Sequence, residues 1–152
     1  MSLLLALAMA APAPTVLSGP VFECSFGAKQ LRVTQEGQAL VYRYGTKTKA
    51  ELRIVADAKS RRVFYHRTLY PRGEDQTLRF VNGDYDYIVF AHWTAGSGPD
   101  IELDTAAQYG GLIVRKAGKT LSTRICKDGG DMLEWPIFKS LPTDEENRTP
   151  AI

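Results

Sequence analysis

The stretch Leu78-Arg79-Phe80-Val81-Asn82-Gly83-Asp84-Tyr85-Asp86-Tyr87-Ile88-Val89-Phe90 decides the fold. Leu78 and Phe80 alternate with Arg79, the period of a strand with one buried face. Residues 85–93 are rich in β-branched and aromatic types, which fit a pleated surface. Asn82-Gly83 lies between the two runs. Both residue types tolerate positive φ, so the stretch reads as a β-hairpin.

The same pattern extends outward. Upstream, Phe22, Cys24 and Phe26 alternate with Glu23 and Ser25, and Leu31 and Val33 with Arg32 and Thr34. Leu40, Tyr42 and Tyr44 alternate with Val41 and Arg43, and Leu52 and Ile54 with Glu51 and Arg53. Residues 63–70, 112–114 and 121–125 complete the strand-like set. Glu36-Gly37, Tyr44-Gly45 and Ala117-Gly118 supply turns, and Pro71-Arg72-Gly73 and Gly96-Ser97-Gly98-Pro99 supply longer loops. No long helical period is present. The expectation is an all-β chain, an antiparallel sandwich or barrel of about eight or nine short strands. The β-sandwich domain is expected over residues 21–141. Met132 to Phe138 reads as an irregular cover, and residues 142–152 as a flexible tail.

Composition agrees with one domain. The chain has 152 residues, 44% of them apolar and 24% charged, enough for a core without a structural metal. Aromatic residues reach 10% and the net charge is only +2, which excludes a disordered chain and argues against a nucleic-acid binder.

The N-terminus suggests export. Leu3 to Ala11 is an unbroken apolar run, too short to span a bilayer but suited to a signal peptide. Ala8-Met9-Ala10 offers the small-x-small cleavage pattern, so residues 1–10 are expected to be removed, with residues 11–20 as a Pro-bearing linker. The alternative is an apolar N-terminal strand or helix buried in the fold. The expected location is the periplasm or the exterior, with no membrane span. In that setting two cysteines, Cys24 and Cys126, suggest one disulfide tying the two ends of the domain. Neither has a ligand-spaced partner for a metal.

Little catalytic chemistry is offered. Gly96-Ser97-Gly98 lacks the strand–helix context of a nucleophile elbow, and no helix stands behind a glycine loop to bind phosphate. His66 and His92 are the two histidines. Asn82, Asp84 and Asp86 could offer oxygen ligands, yet without the ordered spacing of a calcium loop. No cofactor, metal or catalytic residue is assigned.

Charge is unevenly spread. Six basic residues, Lys59, Arg61, Arg62, Arg67, Arg72 and Arg79, face only Glu74 and Asp75. From Phe80 to Val114 there is no Lys or Arg, but five acids: Asp84, Asp86, Asp100, Glu102 and Asp104. An acidic region would steer a cationic partner.

Two resemblances add to this. Phe22-Glu23-Cys24, Gly27, Leu31 and Val33 resemble the opening of the periplasmic inhibitors of c-type lysozyme. That family implies a small exported β-barrel with an early Cys paired to a late one. It also implies a Ser-Gly-x-x-Tyr loop that enters the enzyme's cleft. Ser97-Gly98 stands at the corresponding place, with Ile101 where the family has tyrosine. Tyr42-Arg43-Tyr44-Gly45, Glu51-Leu52, Leu78-Arg79-Phe80, residues 82–87 and residues 111–114 are similar to an uncharacterised group of exported proteobacterial proteins. Some similar periplasmic proteins are immunity partners of cell-wall-degrading effectors.

The resulting expectation is an exported protein-binding module that inhibits, or gives immunity against, a cationic cell-wall hydrolase. Ser97, Gly98 and Asp100 would contact the partner, with Asp84 and Asp86 as steering charges. One alternative is a glycan- or ligand-binding envelope module using Tyr65, Tyr85, Tyr87 or Trp93 for stacking. A weaker one is a hydrolase using His92 with Asp84 or Asp86.

Overall fold

The computed structural model describes residues 18–95 and 106–146. Among these, ten strands run in sequence: β1 (Gly19–Ser25), β2 (Gln30–Glu36), β3 (Ala39–Gly45), β4 (Ala50–Asp57), β5 (Val63–Tyr70), β6 (Gly73–Asn82), β7 (Tyr85–Ala95), β8 (Ala106–Lys116), β9 (Lys119–Ile125) and β10 (Asp128–Met132). They form two five-stranded antiparallel sheets, ordered β10-β1-β2-β3-β4 and β5-β6-β7-β8-β9. The chain walks up and down through both sheets, and β10 then returns to pair with β1. The expected antiparallel sandwich is the observed fold.

The alternating residues meet between the sheets. Phe22, Leu31, Val33, Leu40, Tyr42 and Ile54 from the first sheet pack with Val63, Leu78, Phe80, Val89 and Leu112 from the second. Each fully buried side chain of this size is worth about 1.5–3 kcal/mol relative to exposure. Tyr42 sits at the centre, tilted against Phe80 at 5.4 Å and Tyr87 at 5.5 Å between ring centroids. Burial pushes its hydroxyl well above the usual phenol range. That hydroxyl has no hydrogen-bond partner among the described residues. A buried unsatisfied hydroxyl costs stability. Tyr42→Phe should therefore raise the unfolding free energy, by about 1 kcal/mol, measured by urea denaturation.

Three details differ from expectation. The β6–β7 turn centres on Gly83-Asp84, not Asn82-Gly83: Asn82 pairs with Tyr85 inside the ladder. Only Gly83 of the pair has positive φ (64°), which matches a type II′ turn with glycine first. A tenth strand, β10, was hidden by Gly129-Gly130, residue types depleted in strands. Gly110 and Gly130 touch backbone to backbone, and a Cβ at Gly110 would fall on the Gly130 carbonyl. The glycines thus let β10 cross close over β8. Finally, β1 takes in Gly19 and Pro20, opposite Gln35 and Thr34, so the ordered strand starts inside the expected linker.

The segment after β10 covers the core through Ile137 and Phe138, whereas Met132, expected in that cover, belongs to β10 and Leu133 is exposed. Pro136–Ser140 is a 3₁₀ turn with Ile137 and Phe138 buried, and Phe138 stacks on Tyr65 at 4.5 Å. The tail expected from residue 142 is instead anchored as far as Asp144. The Tyr65 N–H donates to the Pro142 carbonyl (3.0 Å) and the Asp144 N–H to the Tyr65 carbonyl (2.9 Å). The segment thereby covers the free edge of β5. Cys24 in β1 is disulfide-bonded to Cys126, just after β9, with Cα atoms 5.3 Å apart. The bridge links the two sheets. Among the described residues no helix is long and apolar enough to cross a membrane.

Candidate functional site

The acids expected to steer a partner serve structure in part. Arg79 is almost buried on the outer face of the second sheet. Its Nε and Nη2 donate to the two carboxylate oxygens of Asp144, each at 3.0 Å. Its Nη1 donates to Asp86 at 3.3 Å, and its guanidinium lies 4.4 Å above the Phe64 ring. Asp86 is thus held in an internal ion pair. Burial lowers the pKa of Arg79, but Asp144 and then Asp86 outweigh it and hold the charge on. Asp84 is exposed in the β6–β7 turn.

Ser97, Gly98 and Asp100 lie outside the described residues. The chain leaves for them from Ala95, at the far end of β7 from Asp84. Eleven residues of strand separate the two, roughly 35 Å.

The end of the sandwich near Ala95 carries a different constellation. Thr68, Asp75, His92 and Tyr109 stand in one transverse row across β5, β6, β7 and β8. Asp75 accepts from Tyr70 Oη on one carboxylate oxygen and is bonded to His92 Nδ1 on the other. The His92 ring packs tilted against Tyr109, with ring centroids 4.7 Å apart. The Asp75 hydrogen bond, with burial next, pushes the Tyr70 phenol up to about 12. Burial and then Asp75 raise Tyr109 as well. This network fixes the end of the sheet.

On the other face of the same strands, Leu69, Glu74, Trp93 and Gln108 form the neighbouring row. Trp93, Gln76, Gln108, Asp131 and Leu133 line a cavity of about 190 Å³ between β6–β8 and β10. Leu69 is 68% exposed, Leu133 65% and Trp93 46%. Three large apolar side chains thus stand in solvent at one end. Acids surround them: Glu74 and Glu134 both pair with Arg67, and Asp131 accepts from Gln108 at 2.6 Å.

The aromatic residues expected to stack on a ligand are mostly engaged inside the protein. Tyr65 lies on Phe138, and Tyr87 lies between Tyr42 and Tyr85. Of the four, Trp93 is the exposed one. His92 is not paired with Asp84 or Asp86. Asp86 is six residues away along β7, roughly 20 Å, and its place beside His92 is taken by Asp75. Among the described residues no serine or cysteine is hydrogen-bonded to His92, and no group of three or more potential metal ligands occurs.

Sequence reasoning passed over Asp75, Leu69 and Leu133. Counting outward from the Gly83 turn places Asp75 opposite His92 and Glu74 opposite Trp93, so half of this site was available from the hairpin alone. Leu133 could not be found that way, because its place depends on the return of β10. Comparison with protein-family models, with curated proteins and with solved structures finds no match to this chain. The likeness to lysozyme inhibitors rests on the quoted residues alone.

Proposed function

We propose that this is an exported protein-binding module whose docking surface is the sandwich end bearing Leu69, Trp93 and Leu133. The observation that carries this reading is the cluster of exposed large apolar side chains on a frame fixed by Tyr70, Asp75 and His92. Such anchors, rimmed by polar groups, are what protein interfaces use. Glu74, Asp131 and Glu134 around the cluster favour a cationic partner. Long-range attraction of this kind speeds association and weakens with salt. A cell-wall hydrolase of the c-type lysozyme class is the partner that the sequence resemblance implies. The disulfide fits an oxidising compartment, where such enzymes act.

The test is inhibition and binding of a c-type lysozyme. The protein should slow clearing of a cell-wall suspension. Trp93→Ala should weaken binding by about 2 kcal/mol or more, the size of an interface hot spot. Asp84→Lys should change affinity little, because that residue lies at the opposite end. A loss at Asp84 with none at Trp93 would move the surface to the other end.

A further inference from the structure

The outer face of the first sheet carries a row of like charges. Arg32 in β2, Arg43 in β3 and Arg53 in β4 are direct neighbours in register. Neighbouring strands are about 4.8 Å apart, so three like charges fall within roughly 10 Å. Like charges directly opposite each other destabilise a sheet. Arg32 and Arg43 of this row, with the Thr46-Lys47-Thr48-Lys49 turn, line a groove of about 650 Å³. Glu23 pairs with Arg32, Glu36 with Arg43 and Glu51 with Lys29. Arg53, Lys47 and Lys49 are exposed and make no ion pair among the described residues.

We infer that this groove binds an acidic glycan, a sugar chain carrying carboxylate, sulfate or phosphate groups. Its lining matches both parts of such a ligand. Guanidinium forks and ammonium groups suit the anionic substituents. Threonine hydroxyls, Gln30, Glu23 and Asp128 donate to or accept from sugar hydroxyls. Single-stranded nucleic acid is disfavoured because it needs aromatic faces to stack on. The aromatic ring of the lining, Tyr44, turns toward Phe26, and its hydroxyl accepts from Arg124 at 2.8 Å. The groove lies on the opposite sheet from Trp93, so it can act beside a protein partner.

Affinity electrophoresis of the full chain tests the inference. Gels carry heparin as a sulfated probe, polygalacturonate as a carboxylated one, or dextran as the neutral control. Retardation is expected in at least one acidic gel and not in dextran, and it should weaken as salt rises from about 50 to 200 mM. Lys47→Glu with Lys49→Glu should reduce the affinity by about tenfold, and Arg53→Glu, which extends the arginine row beside the groove, should reduce it less. These positions are exposed, and circular dichroism with a thermal melt checks that each variant folds. Trp93→Ala should leave retardation unchanged, which separates this site from the protein-docking end. The inference is overturned if neither acidic glycan retards the protein or if the folded charge variants bind like the wild type. It is equally overturned if single-stranded DNA or phosphatidylglycerol vesicles bind more tightly than both glycans.

Discussion

Replacing Cys24 and Cys126 together by alanine should cost this protein about 4–5 kcal/mol of stability. The bridge closes a loop across a sequence separation of 102 residues, and chain-entropy arguments assign roughly 4.7 kcal/mol to a loop of that size. In a domain of this length each kcal/mol moves the thermal midpoint by roughly 2–4 °C, so a fall of about 10–15 °C is expected. The structural reason is specific. Cys24 belongs to one sheet and Cys126 follows the last strand of the other. Two links run from sheet to sheet, β4 to β5 and β9 to β10, and the disulfide secures the second. Without it β10 should be the first element to open, since it is short and carries two glycines. Hydrogen exchange should show faster opening of residues 128–132 in the double variant. A midpoint within a few degrees of the wild type would show that the core holds the sheets together unaided.

Asp144→Ala should cost about 3 kcal/mol or more, the usual loss when one partner of a buried ion pair is removed. Asp144 is fully buried, and Arg79 is 7% exposed. Removing the carboxylate leaves the guanidinium with Asp86 and, more distantly, the exposed Glu146 on one nitrogen and Phe64 beneath it. It also loosens the edge of β5, because residues 142–144 are held by Asp144 as well as by two backbone bonds. Replacing Arg79 and Asp144 together by Met and Leu should recover much of the loss, since an apolar pair avoids the desolvation of both charges. Urea denaturation of the single and double variants gives the coupling directly. An effect under about 1 kcal/mol for Asp144→Ala would place the pair among surface ion pairs.

The hairpin at Gly83 explains why most of the sandwich was readable. Alternation in β1 to β4 and the β-branched runs of β5 and β7 fixed the strands, because each has one face toward the same core. Register errors were small: the turn moved by one residue, from Asn82-Gly83 to Gly83-Asp84. What escaped reading was non-local. Asp144-Glu145-Glu146 looks like a solvated acidic tail until Arg79, 65 residues earlier, is placed beside it. Gly129-Gly130 looks like a loop until Gly110 is seen to need a neighbour without a side chain. Asp84 and Asp86 looked like one pair, yet the strand sends Asp86 to Arg79 and leaves Asp84 in the turn. Arg32, Arg43 and Arg53 are unremarkable in sequence and become a row only when three strands align.

The most direct measurement is a calorimetric titration of the protein, with its Cys24–Cys126 bridge intact, into a c-type lysozyme. The account predicts saturable one-to-one binding that weakens with added salt. That binding should fall sharply with Trp93→Ala and be indifferent to Lys47→Glu with Lys49→Glu. No heat of binding to the enzyme, or binding that is unchanged by loss of Trp93, would contradict it.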